Sequence, residues 1–150
     1  MTRVQLIVLA TVGSIALLGG AFIFQLLGFP PCKMCFWQRY PHGVAIFIGA
    51  LALIQPRFQK PLAVLGAAAA AVTSGVGFFH SGVEQKWWDG PSGCTGGNSL
   101  VGVDLLSTDL AAPIVMCDEI SWSLLGLSMA TYNGIISLIL VGVWIAAARK

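Results

Sequence analysis

The chain has 150 residues, of which 57% are hydrophobic and 9% charged, with a formal net charge of +2. That length holds one domain at most, and a mean hydropathy of +0.84 excludes an ordinary soluble protein. The net charge is too small to draw nucleic acid, so the environment implied is the lipid bilayer.

Four apolar runs are long enough to span a membrane, each needing roughly 20 residues. The first is about Val4–Leu27. Arg3 ahead of it imitates a signal peptide, but the run outlasts an h-region and others follow, so it reads as a retained helix. Residues 28–35 are a short loop holding Pro30-Pro31-Cys32-Lys33-Met34-Cys35. The second run is about Phe36–Ile54, where Pro41 should kink the helix or mark its start near His42.

Residues 55–61 form a proline-bounded turn before the third run, Leu62–His80. Its five consecutive alanines and several glycines permit close approach of membrane helices. The loop at 81–123 is long for a compact domain, and such loops are commonly functional. Within it, Trp87 and Trp88 suit the membrane interface. The glycine-rich stretch around Cys94 reads as a mobile, accessible turn. Val101, Leu105, Leu106 and Leu110 predict a short helix lying along the membrane surface. The fourth run is about Leu124–Ala147.

Charge placement orients the chain. Arg3, Arg57, Lys60, Arg149 and Lys150 fall on one side of a four-span arrangement. All six acidic residues, Glu84, Asp89, Asp104, Asp109, Asp118 and Glu119, fall on the other with Lys33, Arg39 and Lys86. The basic side is expected in the cytoplasm, which puts both termini inside and both cysteine-bearing loops outside.

Cys32, Cys35, Cys94 and Cys117 are the four cysteines. The C-x-x-C pair can close a small strained ring, and a nearby cation or helix N-terminus favours its thiolate. Lys33 lies inside that ring, and Arg39 is one helical turn beyond Cys35. A structural disulfide or half of a zinc site fits the same spacing. Four-cysteine zinc sites use a second close pair, and Cys94 and Cys117 are far apart, so no metal is expected. His42 and His80, near the outer ends of adjacent runs, allow a b-type haem. A c-type haem is excluded because Phe36 follows Cys35.

The Pro31-Cys32-x-x-Cys35-x-x-x-Arg39 pattern is similar to the first periplasmic loop of the DsbB family of disulfide-forming membrane proteins. Cys117, followed by Trp122 and the stretch Leu124–Asn133, resembles that family's later segment. Quinone-linked thiol oxidoreductases of the vitamin K epoxide reductase type also use four helices and two cysteine pairs, in the reverse order. The resemblance implies an all-α membrane protein, a four-transmembrane-helix bundle with two periplasmic loops, in the bacterial inner membrane.

It further implies a quinone-dependent enzyme, using ubiquinone or menaquinone, that reoxidises a periplasmic thioredoxin-fold thiol oxidase of the DsbA type. On that likeness Cys94 takes the partner's attack, and Cys117 is its loop mate, able to pair transiently with Cys32. Cys35 is the thiolate facing the quinone, Arg39 the cation beside the ring, and His80 a histidine near the same site. Gln38 departs from the family's frequent acidic residue before the arginine. The competing reading is non-enzymatic: a membrane scaffold or b-type haem electron carrier with structural disulfides.

Overall fold

Thr2 opens the first helix with a reciprocal cap. Its hydroxyl accepts from the Gln5 backbone N–H at 3.3 Å, while the Gln5 side chain accepts from the Thr2 N–H at 2.8 Å. In the computed structural model, which describes residues 1–92, 94 and 116–150, four long helices follow in chain order. They are α1 (Arg3–Leu26), α2 (Lys33–Ile54), α3 (Gln59–Glu84) and α4 (Met129–Arg149). A 3-10 turn at Pro56–Phe58 joins α2 to α3. Consecutive helices pack together and α4 closes back on α1, giving a four-helix bundle.

Among the described residues, three segments are long and apolar enough to cross a membrane: Arg3–Leu26, Pro56–Glu84 and Met129–Arg149. The other long helix, α2, has 22 residues, but Lys33, Gln38, Arg39 and His42 occupy its first half. Pro41 lies inside α2, so the helix starts at Lys33 and not near His42. The bundle's outer face is apolar: Val12, Phe47, Leu65, Val72, Leu138 and Ile139 are all exposed. So broad an apolar surface suits lipid and not water.

The end of the bundle that holds the two chain termini is tightly filled. Leu6, Ile7, Ala10, Ala52, Ala63, Ala67, Ala70, Leu140, Trp144 and Ala147 form one buried cluster. The alanine run thus contributes Ala67 and Ala70 to the core. At the α3–α4 contact, a Cβ on Gly77 would lie 2.8 Å from the Gly134 nitrogen, so only glycine permits that approach.

Two sequence expectations are corrected at the helix ends. Glu84, expected in the loop at 81–123, is the last residue of α3. The fourth helix begins at Met129 and not near Leu124, because Ser123–Ser128 forms a small hairpin. In it β1 (Ser123–Leu124) pairs antiparallel with β2 (Leu127–Ser128). Leu125 and Gly126 take φ of 51° and 79° at its tip, a left-handed turn that no helix accommodates. Ser128 then caps α4, accepting from the Thr131 N–H at 3.2 Å. The membrane-surface helix expected at 101–110 lies outside the described residues.

Candidate functional site

Pro30 and Pro31 cannot extend α1, and the chain reaches Cys32 in an extended conformation, with ψ of 173°. Cys32 then acts as the N-cap of α2, its sulfur accepting from the Cys35 N–H at 3.2 Å. One turn of helix brings the Cys35 sulfur to 2.8 Å from that of Cys32. Cys32 is buried and Cys35 half-buried.

This pair stands at the head of α2, and its two thiols are unlike. The Cys35 thiol is held below its ordinary value, chiefly by the hydrogen bond from Cys32 and also by the Arg39 charge, against the opposing effect of burial. The same hydrogen bond, reinforced by burial, pushes the Cys32 thiol up. Cys35 is therefore the more readily ionised of the two, and Cys32 is placed to donate to it. Lys33, inside the ring, sends its ammonium to the Trp37 ring, 5.8 Å from the centroid.

From α3, His80 places Nε2 3.6 Å from the Cys32 sulfur and 3.9 Å from Oε1 of Glu84. The Ser128 hydroxyl donates to the other Glu84 oxygen. The remaining pair, Cys94 and Cys117, is joined in a disulfide. These two cysteines pack with Cys32, Met34 and Val83 in one cluster, and the Cys117 backbone also reaches the His80 ring. All four cysteines are thus gathered at one end of the bundle. Cys94 and Cys117 are each only 1% exposed, against the expectation of an accessible Cys94, because the disulfide is tucked beneath the end of α3.

Arg39 turns toward α1. It donates to the Gln25 side-chain oxygen at 2.7 Å and to the Ala21 carbonyl at 3.1 Å, between the rings of Phe22 and Phe36. Its Nε is buried and has no hydrogen-bond partner among the described residues. Arg39 lines a cavity of about 340 Å³ together with Cys32, Cys35, Gln38, His42 and His80. The rest of the lining includes Leu17, Gly20, Phe24, Trp122 and Asn133. The wall is open at Gly20, where an added Cβ would meet nothing within 4 Å.

Behind the thiols runs a chain of buried polar side chains. Gln38 Nε2 donates to His80 Nδ1 at 2.8 Å, and Asn133 Nδ2 donates to Gln38 Oε1 at 2.7 Å. Asn133 Oδ1 lies 2.9 Å from His42 Nε2. The sequence reading gave none of Gln38, Asn133, Thr73 and Glu84 a place in such a network, although a signal existed: polar residues inside apolar helices are expensive and so mark function. Gln38 and His42, like Asn133 and Ser137, are spaced four apart and share a helix face.

A haem needs a free imidazole nitrogen on each ligand. His80 already faces Gln38 on one side and Cys32 with Glu84 on the other, which disfavours that reading. The donor atoms of Cys32, Cys35 and His80 lie within 4.8 Å of one another, the composition of a soft metal site. Two thiolates on one tetrahedral zinc would stand about 3.8 Å apart, whereas these sulfurs are 2.8 Å apart. That spacing suits thiol exchange better than ligation.

Comparison with known proteins gives a consistent result. The family described as "Disulfide bond formation protein DsbB" matches residues 3–147. A "Disulfide bond formation protein B" from Acidovorax sp. (strain JS42) is 30% identical over 139 residues, covering 86% of this chain and 78% of that protein. One of the same name from Verminephrobacter eiseniae (strain EF01-2) is 30% identical over 139 residues, with 86% and 76% covered. No solved structure gives a significant match. A helical bundle with an apolar exterior, a C-x-x-C dithiol at the head of α2, a disulfide packed against it and a family match over nearly the whole length together make this chain a member of the DsbB family of disulfide bond formation proteins.

Proposed function

We propose that this protein is a thiol:quinone oxidoreductase of the bacterial inner membrane. It reoxidises a periplasmic thioredoxin-fold thiol oxidase of the DsbA type and passes the electrons to ubiquinone or menaquinone. All four helices span the bilayer in this reading, with both termini cytoplasmic and both cysteine loops periplasmic. The distribution of basic and acidic residues supports that orientation.

Each exchange step balances. A thiolate of the reduced partner attacks the Cys94–Cys117 disulfide at Cys94, and the partner's second thiol then displaces Cys94. The partner leaves oxidised, and Cys94 and Cys117 are left as two thiols. These reduce a Cys32–Cys35 disulfide in turn, regenerating their own bond and leaving the inner dithiol. Cys32 packs against the outer pair, which favours a transient Cys32–Cys117 bond as the route between them. The arrangement described above, outer pair bonded and inner pair as thiols, corresponds to the stage awaiting the final acceptor.

The cavity beside Cys35 fits a quinone ring. It holds about 340 Å³, its wall is open at Gly20, and Arg39 Nε is buried without a partner. Bound there, a quinone would supply a two-electron, two-proton sink. Arg39 offers a charge-assisted N–H to a ring oxygen and favours the Cys35 thiolate. His80 holds the Cys32 sulfur in place and keeps the dithiol backed by a polar wall.

The observation that carries this reading is that Cys35, the more readily ionised thiol, and Arg39, whose Nε has no partner among the described residues, line one cavity. The test is the purified protein in detergent with a reduced thioredoxin-fold donor and decylubiquinone. One quinone should be lost for every two donor thiols oxidised, and Cys35→Ser should abolish the reaction. Inert cysteines, or thiol oxidation without quinone loss, would overturn the proposal.

A further inference from the structure

His42 takes no part in the thiol chemistry above, yet it is 3% exposed and lines the same cavity. Its Nδ1 is buried and has no hydrogen-bond partner among the described residues. A buried imidazole nitrogen left without a partner carries a penalty, so the question is which kind of partner it can take.

The surrounding side chains fix the answer. Thr73 spends its hydroxyl proton on the Gln38 carbonyl at 3.0 Å, so its oxygen accepts from Asn133 Nδ2 at 3.2 Å. That nitrogen also donates to Gln38 Oε1, and the Asn133 amide cannot be reversed without losing both bonds. Asn133 Oδ1 therefore faces His42 Nε2 at 2.9 Å and the Ser137 hydroxyl at 3.4 Å. An amide oxygen only accepts, so Nε2 of His42 carries the hydrogen. In the neutral ring Nδ1 is then a bare lone pair. A lone pair accepts from a hydroxyl and repels a carbonyl oxygen.

A quinone ring carries carbonyls, and its reduced form carries hydroxyls. Arg39, a pure donor, serves the carbonyl. We propose that His42 Nδ1 accepts a hydrogen bond from a hydroxyl of the reduced quinone, making His42 the residue that distinguishes the reduced ring from the oxidised one. This rests on the quinone reading above and adds a second polar anchor to the same cavity. It also gives the Thr73–Asn133 pair a role, since these side chains set the tautomer of His42 as positioning residues.

The experiment titrates the purified protein in detergent with decylubiquinol and, separately, decylubiquinone, reading quenching of tryptophan fluorescence. Trp122 lines the cavity and reports occupancy. His42→Phe should weaken decylubiquinol binding about three- to tenfold, the worth of one hydrogen bond, and leave decylubiquinone binding unchanged. Equal losses for both ligands, or none, would overturn the inference. As a second measurement on the unaltered protein, nitrogen-15 NMR of labelled histidine, assigned by difference with His42→Gln, should show Nδ1 of His42 unprotonated. That signal should shift with decylubiquinol only. A protonated Nδ1 in the ligand-free protein defeats the inference even if His42→Phe fails to fold. If the protein binds neither ligand, the quinone reading falls with it. If both bind without regard to His42, only the present inference falls.

Discussion

His80 Nε2 stands 3.6 Å from the Cys32 sulfur, so the residue capping α2 is held by a ring one turn before the end of α3. On its other side the same ring accepts from Gln38, and through Asn133 the chain of bonds extends to His42. The Cys32 sulfur is thus mounted on a polar network inside an apolar bundle. Such a network is stable only while each member is satisfied.

That condition makes a stability prediction. His80→Phe removes the acceptor of Gln38 Nε2 and leaves a buried donor unsatisfied, at about 1–3 kcal/mol. Gln38→Leu should cost a similar amount by stranding Asn133 and His80. The double variant should lose less than the sum, by about 0.5–3 kcal/mol, because the stranded partners are removed together. Thermal or denaturant unfolding in detergent, with the Cys94–Cys117 bond intact, measures the cycle. Strict additivity would mean the two side chains act independently.

The thiol asymmetry predicts a pH profile. Cys35 lies below the ordinary 9.0, first through the hydrogen bond from Cys32 and then through Arg39. Its alkylation rate in the reduced protein should therefore rise with a midpoint below 9.0, while Cys32 reacts slowly throughout. The linkage has the sign of a depressed acid. The stabilisation of the reduced protein from this thiolate is complete above the ordinary value and is lost as pH falls through the lowered one. Cys32→Ala removes the donor and should move the midpoint upward. Alkylation of Cys35 with a midpoint at or above 9.0 would contradict the assignment.

Much of this arrangement is legible in the sequence because hydropathy and charge act locally. The apolar runs account for the helices, and the C-x-x-C spacing accounts for the meeting of Cys32 and Cys35 in one turn. What stayed hidden depends on contacts between helices. Glu84 looks like one more loop acid until α3 is seen to carry it beneath Ser128. Gln38 reads as a departure from a family habit, whereas the fold makes it the joint between His80 and Asn133. The burial of Cys94 is likewise tertiary, since a glycine-rich stretch gives no sign that its cysteine packs against Cys32 and Val83. The turn at Leu125-Gly126 was within reach, because a glycine after an apolar run commonly stops a helix from starting there.

Arg39 makes a third prediction. Its two terminal nitrogens are already spent on Gln25 and Ala21, so part of its role is to pin α2 to α1. Arg39→Ala should slow the quinone-dependent step about ten- to a hundredfold, the loss of a charge-assisted bond worth about 1.5–3 kcal/mol. It should also raise the Cys35 midpoint. Arg39→Lys keeps the charge without the planar fork, so it should restore the midpoint more fully than the rate. An effect confined to the partner's apparent affinity would leave Arg39 as an anchor between helices only.

Gly19 and Gly20 give the sharpest test of where the ring sits. An added Cβ at either position meets nothing within 4 Å, so neither substitution meets an obstacle inside the bundle. Replacing a helical glycine with a better helix former is also favourable by a few tenths to about 1 kcal/mol. Only Gly20 lines the cavity. Gly20→Phe should therefore fold at least as stably as the parent while raising the KM for decylubiquinone severalfold, through lost volume beside Arg39. Exchange between the reduced partner and the Cys94–Cys117 bond should be unaffected, because neither of those cysteines lines the cavity. Gly19→Phe, one residue away on the same helix, should leave the quinone KM alone. If both variants behave alike, the quinone is not bound against the Gly20 wall, and the cavity must be assigned another occupant.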